Sequence, residues 1–322
     1  MDNITSPLLG IHHVTAITSD AQRNVDFYTG LLGLRLVKVT VNFDDPSAYH
    51  LYYGDEVGHP GTILTFFAWT GIPRGRPGTG QLTTIAFTIP QASLDYWAQR
   101  FLSGGIHHQG PRTHLGEQVL SLRDPDGMSI ELVAHPRAQE RPGWAGGTVH
   151  AEHAIRGIHS VTVLEEEYEH TAHHLTGTLG FRLVAEEQNV FRYEVGAGGP
   201  GALINVRCTP EFLRGMIAGG SIHHVAWRAA TDAGQQIWRE ALSSYGVDVT
   251  PILDRQYFHS IYFREPGGVL FEIATDPPGF TVDEPVEHLG SQLKLPPWLE
   301  PDRVEIEQML PPLNLPSERM IE

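Results

Sequence analysis

Two short segments, far apart in the sequence, each carry a pair of adjacent histidines. The first is "GIHHVTAI", which begins at Gly10, and the second is "SIHHVAWRA", which begins at Ser221. Histidine is the commonest metal ligand and a general acid or base near neutral pH. Successive side chains of a β-strand point to opposite faces, so one histidine of each pair can face a cavity. The two segments could therefore supply two imidazoles to one metal ion, although a lone strand histidine is more often a hydrogen-bonded core or surface residue.

The histidine pairs lie within an internal repeat. The segment "FYTGLLGLRLVKVT" from Phe27 matches "HLTGTLGFRLVAEE" from His174 at an offset of 147 residues. The segment "LRDPDGMSIELVAHP" from Leu122 matches "FREPGGVLFEIATDP" from Phe263 at an offset of 141 residues. The first and third quarters of the chain are therefore related, as are the second and fourth, and such repeats indicate structural units that pack against one another.

Each quarter has the pattern of a strand, a helix and further strands. In the first quarter, "DAQRNVDFYTGLLG" predicts a helix with Asp20 as its N-cap and Gly30 or Gly33 near its end. Runs such as "TILTFFAW" and "VLFEIATD" predict the strands. One such unit cannot close a core alone, so the units must pair. The predicted fold class is α+β, with four βαβββ modules that pair into two curved mixed-sheet half-barrels.

The predicted domain organisation follows these modules. Residues 1–134 contain modules one and two, and residues 156–275 contain modules three and four. Between them, the Pro, Gly and charged residues of 135–155 predict a crossover linker. Residues 276–322 are rich in proline and predict an extended C-terminal arm rather than a fifth module.

Composition argues against several classes of partner. The formal net charge of −16, from 22 basic and 38 acidic residues among 322, argues against nucleic acid and membrane surfaces as partners. The one cysteine, Cys208, cannot form an intramolecular disulfide, and "MDNITSPLLG" lacks the features of a signal peptide, so we expect a cytoplasmic protein. No apolar run approaches the roughly 20 residues of a membrane helix. Whether the chain forms a homo-oligomer is left open.

Equivalent strand positions in the four modules identify a candidate ligand set. The first-strand position holds, in order, His13, Thr84, Ser160 and His224, and the last-strand position holds Thr65, Glu131, Asn205 and Glu272. Combining modules one and four gives His13, His224 and Glu272, a two-His-one-carboxylate set that suits non-haem Fe(II) and leaves positions open for substrate and O₂. A carboxylate buried there needs a cation or a wet cavity. Glu131 has no second imidazole in its module, and we interpret it as a vestige that forms local hydrogen bonds.

Two other adjacent histidine pairs do not fit this position. His107 and His108 lie in a Gly-rich turn, and His173 and His174 lie in a predicted helix. We expect both pairs to be solvated.

Arg255 and Tyr262 have a possible chemical role in the fourth module. They precede Glu272 by 17 and 10 residues, and the equivalent positions of the second module hold His114 and Ser121. A guanidinium lowers the cost of ionising a nearby phenol, and a Tyr hydroxyl can orient a ring oxygen. The alternatives are a surface ion pair for Arg255 and a core aromatic with a satisfied hydroxyl for Tyr262.

Taken together, these motifs resemble the vicinal oxygen chelate superfamily and, within it, the ring-cleaving dioxygenases that act on hydroquinones. The resemblance covers about the whole chain and includes "FYTGLLGLRLVK", "SIHHVAW" and "DRQYFHSIYFREPGGVLFEIATDPPGF". It implies that modules one and four pair and that His13, His224 and Glu272 bind Fe(II), with Mn(II) as the alternative ion. It also implies a small aromatic substrate and O₂.

The resemblance further implies supporting or substrate-facing roles for His12, Thr15, His223, Arg255 and Tyr262. By strand parity, His12 and His223 face away from the metal, so we assign them hydrogen bonds that support the ligands. Packing is the alternative role for both. The implied reaction is ring cleavage beside an ionised hydroxyl, with the metal acting as Lewis acid, template and electron conduit.

Two other functions stay open on the sequence. A glyoxalase-type isomerase would favour Zn²⁺ or Ni²⁺ and usually two carboxylates, whereas the candidate set contains one. A non-enzymatic protein that binds small aromatic or thiol-reactive compounds would not need the metal ligands at all.

Overall fold

Four strand-rich segments of the chain build two sheets, and we describe them in a computed structural model that covers residues 6–316. The strands of the first two modules are β1 (Ile11–Thr18), β2 (Arg35–Asn42), β3 (Asp45–Gly54), β4 (Ile63–Ala68), β5 (Gln81–Ile89), β6 (His108–His114), β7 (Glu117–Arg123) and β8 (Ser129–Ala134). Those of the last two are β9 (Ile158–Glu165), β10 (Arg182–Glu187), β11 (Val190–Glu194), β12 (Leu203–Cys208), β13 (Ile222–Ala229), β14 (Leu253–Asp254), β15 (Phe258–Arg264) and β16 (Leu270–Pro278).

Helices follow the first strand of each module. They are α1 (Ala21–Val25), α2 (Leu94–Ser103), α3 (Glu169–His173), α4 (Asp232–Ser244) and, near the end of the chain, α5 (Arg303–Met309). Two π-helical segments, Asp26–Leu31 and His174–Thr178, continue α1 and α3. Short 3₁₀ turns are Gln91–Ser93, Pro136–Glu140, Phe280–Val282, Val286–His288 and Glu300–Asp302.

The two sheets combine modules that are not neighbours in the sequence. One sheet has the strand order β14-β15-β16-β13-β1-β4-β3-β2, and the other has the order β10-β11-β12-β9-β5-β8-β7-β6. In the first sheet β1 pairs antiparallel with β13 and parallel with β4, so the sheet is mixed. Modules one and four thus form one half-barrel, and modules two and three form the other. The predicted fold class is confirmed.

Local sequence explains how the first helix begins and ends. The side chain of Asp20 accepts a hydrogen bond from the Arg23 N–H at 3.0 Å, which confirms the predicted N-cap. After the π-helical segment, Gly33 has a φ of +68°, and a Cβ at this position would lie 2.7 Å from a methyl group of Val149. Glycine is therefore required where the chain turns into β2.

The convex faces of the sheets and the helices form the main core. In β16, Phe271 and Ile273 are fully buried in this core, as the alternation of the strand predicts, while Glu272 points to the opposite face. No helix among residues 6–316 has the length and apolar character needed to span a membrane.

The residues after β16 lie against the first module. Fully buried Lys38 of β2 forms ion pairs with Asp283, at 2.6 Å, and with Glu284. Further along, the Lys294 N–H donates to the Val39 carbonyl at 2.9 Å. The predicted domain ranges stay a prediction, and residues 317–322 of the predicted arm lie outside the described part of the chain.

One histidine expectation is wrong. His174 is only 7% exposed, and burial lowers its pKa to about 4. Its position is equivalent to that of Phe27, which is also in the core, so the repeat itself places a buried ring there. His107 and His173 are exposed, as expected for solvated residues, and His108 is half-buried.

Candidate metal centre

The strand register of the first half-barrel brings together residues from both ends of the chain. In the ladder, His13 of β1 and Glu272 of β16 both pair with Ala226 of the intervening β13. His224 of β13 pairs with Thr15. Side chains two residues apart on one strand share a face, so these groups all project into the concave side of the sheet.

The three candidate ligands converge on one point. Nε2 of His13 lies 3.3 Å from Nε2 of His224 and 3.3 Å from Oε2 of Glu272. The same Glu272 oxygen lies 2.9 Å from Nε2 of His224. Within residues 6–316, this is the one group of three His, Cys, Asp or Glu side chains whose donor atoms all lie within 4.8 Å of one another.

The donor arrangement fits a metal ion. Glu272 is 0% exposed, and its Oε2 has no hydrogen-bond partner among the described residues despite the two nearby ring nitrogens. Three ligands about 2.1 Å from an ion, on one face of an octahedron, lie about 3.0 Å apart. The observed separations match that geometry, and the orphaned buried oxygen is the atom that an ion would satisfy.

Each candidate ligand histidine is held by the histidine that precedes it. Nδ1 of His12 lies 2.9 Å from Nδ1 of His13, and Nδ1 of His223 lies 2.8 Å from Nδ1 of His224. In each pair one ring must donate and the other accept. These contacts leave both Nε2 atoms directed at Glu272.

Burial and the neighbouring groups shift the pKa values at the centre. Burial works to raise the pKa of Glu272, but His13 and His224 outweigh it and hold the pKa well below its ordinary value. Burial lowers the pKa of His224 and lowers that of His223 to about 3. The rings of His223 and His224 are therefore neutral near pH 7, and the neutral form of a histidine is the one that binds metals.

A small cavity of about 40 Å³ opens beside these ligands. Of the eight residues predicted for the site, it is lined by His13, Thr15, His224, Arg255 and Tyr262, whereas Glu272, His12 and His223 lie behind its wall. Phe43, Phe67, Phe258 and Tyr52 supply aromatic surface. The lining is therefore suited to a flat ring next to the metal ligands.

Arg255 and Tyr262 contact each other at the cavity. Nε of Arg255 donates to the Tyr262 hydroxyl at 3.3 Å, and its Nη2 lies 3.1 Å from Oδ2 of Asp44 in the turn between β2 and β3. Burial works against the charge of Arg255, but Tyr262 and Asp44 outweigh it and raise its pKa above the ordinary value. Burial, with Glu272 adding to it, raises the pKa of Tyr262, so its hydroxyl stays protonated.

Two further residues at the site are absent from the sequence-based set. The Ser260 hydroxyl donates to Oε1 of Glu272, which fixes the carboxylate with Oε2 toward the imidazoles. His50 lines the cavity, with Nε2 2.8 Å from the Thr65 hydroxyl, which in turn donates to Thr15 at 2.9 Å. Alternation along β15 could have indicated Ser260, because it shares a face with Tyr262.

Comparisons with known proteins agree with this geometry. The family model described as "Glyoxalase/Bleomycin resistance protein/Dioxygenase superfamily" matches residues 10–132 and 157–273. The chain is 44% identical over 310 residues to "Putative ring-cleaving dioxygenase MhqO" of Bacillus subtilis, covering 95% of this chain and 97% of the relative. It is 33% identical over 297 residues to "Chlorohydroquinone/hydroquinone 1,2-dioxygenase" of Sphingobium indicum, covering 90% of this chain and 92% of the relative.

A solved structure supports the same grouping. The crystal structure of a protein described as a "putative dioxygenase" from Bacillus subtilis superposes with a TM-score of 0.90 at 43% identity. The match covers 96% of this chain and 99% of that chain. The resemblance inferred from the sequence motifs is confirmed.

Proposed function

Because the chain belongs to the glyoxalase/bleomycin resistance protein/dioxygenase superfamily, we propose that it is an Fe(II)-dependent dioxygenase that cleaves the ring of hydroquinone-type aromatic compounds with O₂. The main support is the convergence of His13, His224 and Glu272 beside an aromatic-lined cavity. A two-His-one-carboxylate set with open positions is typical of Fe(II) oxygenases. The names of two relatives, a ring-cleaving dioxygenase and a hydroquinone dioxygenase, support the substrate class.

In this proposal, the two Nε2 atoms and Oε2 of Glu272 hold the metal. When bound, Fe(II) supplies a Lewis acid for a phenolate oxygen and a path for electrons between the ring and O₂. His12 and His223 keep the two ligand rings in the correct orientation through their Nδ1 contacts. Ser260 does the same for the carboxylate.

The remaining cavity residues position the substrate. The Tyr262 oxygen already accepts a hydrogen bond from Arg255, so its own proton is free to be donated to an oxygen of the ring. The positive charge of Arg255 favours the ionised form of a phenol bound next to it. Phe67 and Phe258 line the cavity and provide faces against which an aromatic ring can pack.

Substrate access requires a change at the cavity mouth. A benzene molecule occupies a protein cavity of about 150 Å³, whereas the space beside the ligands is about 40 Å³. The ion pair between Arg255 and Asp44, whose side chain is 73% exposed, lies at the solvent side of this space. Separation of this pair would enlarge the cavity toward solvent.

The single carboxylate weighs against the isomerase alternative, because glyoxalase-type sites usually have two. The convergent ligands weigh against a purely binding role, because a binding protein would not need a buried carboxylate facing two imidazoles.

The proposal is tested by anaerobic reconstitution with Fe(II), metal analysis, and O₂ uptake with hydroquinone and catechol. We expect one iron per chain and O₂ consumption with hydroquinone, and neither with the Glu272→Gln variant. Iron-loaded protein that consumes no O₂ with any dihydroxybenzene would refute the proposal. Preferential binding of Zn²⁺ or Ni²⁺ would favour the isomerase.

A further inference from the structure

The second half-barrel contains a cavity at the position equivalent to the candidate metal centre. This cavity measures about 700 Å³, against about 40 Å³ for the cavity beside the metal ligands. Glu131 and Ser160 both pair with Ala86, just as Glu272 and His13 both pair with Ala226. The two cavities therefore occupy the same place in two related half-barrels.

The second cavity cannot hold a metal in the same way. Thr84 and Ser160 take the positions of the two ligand histidines. The remaining carboxylate, Glu131, is paired with Arg112 at 2.6 Å and accepts a hydrogen bond from Ser121 at 3.3 Å. The position that Glu272 holds in the first half-barrel is thus occupied here by a carboxylate neutralised in an ion pair.

Two substitutions between the half-barrels change the lining from aromatic to cationic. Thr65 pairs with Thr15 in one sheet, and Asn205 pairs with Thr162 in the other, so Thr65 and Asn205 are equivalent. The residues two positions further along these strands, Phe67 and Arg207, are therefore equivalent as well. Both line their cavities. In the same way Tyr262 is replaced by Ser121, which pairs with Glu131 as Tyr262 pairs with Glu272. At these two positions the aromatic rings are absent, and one of them now carries a guanidinium.

Within residues 6–316, Arg207 has no anionic partner. Its Nε is buried and lacks a hydrogen-bond partner among the described residues, and its guanidinium forms no ion pair with any of them. A buried polar group of this kind is normally satisfied in a protein interior. Arg207 also lines the cavity, so an anion there can accept hydrogen bonds from the terminal nitrogens of its guanidinium.

The other charges around the cavity do not cancel Arg207. Arg112 is matched by Glu131, and Arg23 is matched by Asp126 at 3.1 Å. Asp124 is buried and accepts hydrogen bonds from the Met128 N–H and the Tyr28 hydroxyl, so it is satisfied within the protein.

A second guanidinium, that of Arg123, also lines the cavity and donates to the Gly127 carbonyl at 2.8 Å. It has no carboxylate partner in the described part of the chain. The lining therefore has an excess of positive charge, although the chain as a whole carries −16. Phe27, Ile106, Leu122 and Ile130 supply apolar surface in the same cavity.

We propose that this cavity binds a small organic carboxylate, with the carboxylate at Arg207 and the carbon skeleton against the apolar wall. A planar guanidinium matches the two oxygens of a carboxylate. Thr84 and Thr162 line the same cavity, and their hydroxyls can donate to the carboxylate. Two kinds of molecule share this chemistry, an aromatic acid and a ring-opened dicarboxylate. The proposal does not depend on the activity proposed for the metal centre.

The test is isothermal titration of the full-length protein with benzoate, with cis,cis-muconate and with inorganic phosphate as probes. Titrations use the Glu272→Gln background, so that a carboxylate cannot bind through a metal at the other site. We expect saturable binding of at least one of the two organic acids with 1:1 stoichiometry, and weaker binding of phosphate. Absence of binding by both acids, or phosphate binding as tightly as they do, would overturn the proposal.

Two variants locate the binding site. Arg207→Gln should raise the Kd at least tenfold. Ser121→Tyr introduces the residue found at the equivalent position of the other half-barrel and should also weaken binding, because the added ring occupies part of the cavity. Arg303→Gln removes an exposed arginine of the C-terminal helix and should leave the Kd unchanged. If Arg303→Gln weakens binding as much as Arg207→Gln, or if Ser121→Tyr binds normally while folded, the site is not this cavity.

Discussion

Nδ1 of His223 lies 2.8 Å from Nδ1 of His224, the ring whose Nε2 is directed at Glu272. Burial lowers the pKa of His223 to about 3, so this ring is neutral and can accept the proton on Nδ1 of His224. The contact then leaves the Nε2 lone pair of His224 free for a metal. In the proposed site, one histidine of the pair would thus bind the metal and the other would support it.

Replacement of His223 by leucine should weaken metal binding. Replacing a hydrogen-bond partner of a ligand histidine typically lowers metal affinity 10- to 100-fold, because the partner orients the ligand ring and selects its tautomer. His223→Asn is the matched control, since its amide oxygen can accept at about the position of Nδ1, and it should retain most of the affinity. Competition with a chromophoric chelator measures both variants. Equal affinity of His223→Leu and the unmodified protein would mean that His223 is only a packing residue.

Metal binding should stabilise the fold through Glu272. An ion that binds only the native protein adds about 2.7 kcal/mol to the free energy of unfolding when its free concentration is 100 times its Kd. Glu272→Gln should remove this gain, so that the melting temperature of the variant no longer responds to Fe(II) or to a chelator. Glu131→Gln, which changes the equivalent carboxylate of the other half-barrel, should keep the response. A metal-dependent rise that survives in Glu272→Gln would place the ion elsewhere.

Loss of the Tyr262 hydroxyl should slow the proposed reaction without releasing the metal. A hydrogen bond to a charged oxygen is worth about 1.5–3 kcal/mol, which corresponds to roughly ten- to hundredfold in kcat/KM. We therefore expect Tyr262→Phe to lose that much activity with hydroquinone at unchanged iron content. Tyr49→Phe is the control, because that hydroxyl donates to the Pro311 carbonyl away from the cavity. Full activity in Tyr262→Phe would mean that Tyr262 only lines the cavity and does not contribute a hydrogen bond to the reaction.

A buried glutamate should make the stability of the protein pH-dependent. Burial, together with the nearby Glu265, raises the pKa of Glu165 from 4.5 to about 8, and its side chain is 3% exposed. Between these values the folded protein keeps a proton that the unfolded chain releases. The contribution of Glu165 is therefore fully present below about pH 4.5 and is lost as the pH rises through about 8.

Glu165→Gln removes this dependence, because the amide stays neutral. At pH 9 we expect it to raise the free energy of unfolding by roughly 2–4 kcal/mol relative to the unmodified protein, and to have little effect at pH 5. Urea unfolding at both pH values measures the difference. Glu167→Gln, at an exposed position two residues away, should change stability by less than about 0.5 kcal/mol at either pH. If the free energy of unfolding changed with pH in the same way for Glu165→Gln and the unmodified protein, the raised pKa of Glu165 would be contradicted.

The internal repeat explains why so much of the fold could be predicted. Copies of one module share strand positions, so comparing them identified His13, His224 and Glu272 as positions that meet across β1, β13 and β16. The expectation that His174 is solvated was wrong because it rested on residue type and helical position alone. Its repeat partner, Phe27, already indicated a core position.

His50 is harder to predict than the ligands, because it lies on β3. That strand is separated from β1 by β4, and only the curvature of the sheet brings its side chain to the cavity. Neither the alternation along a strand nor the repeat offset predicts that curvature. Ser260 is an intermediate case, since its face is predictable but its hydrogen bond to Glu272 depends on side-chain rotamers.

The pairing of the first module with the last has a consequence for biosynthesis. A ribosome that has completed three modules has released one ligand, His13, while His224 and Glu272 are still to be translated. The nascent polypeptide therefore cannot assemble the centre until β16 has left the exit tunnel. In the proposed function, metal loading can therefore begin only after the strand that carries Glu272 has been made.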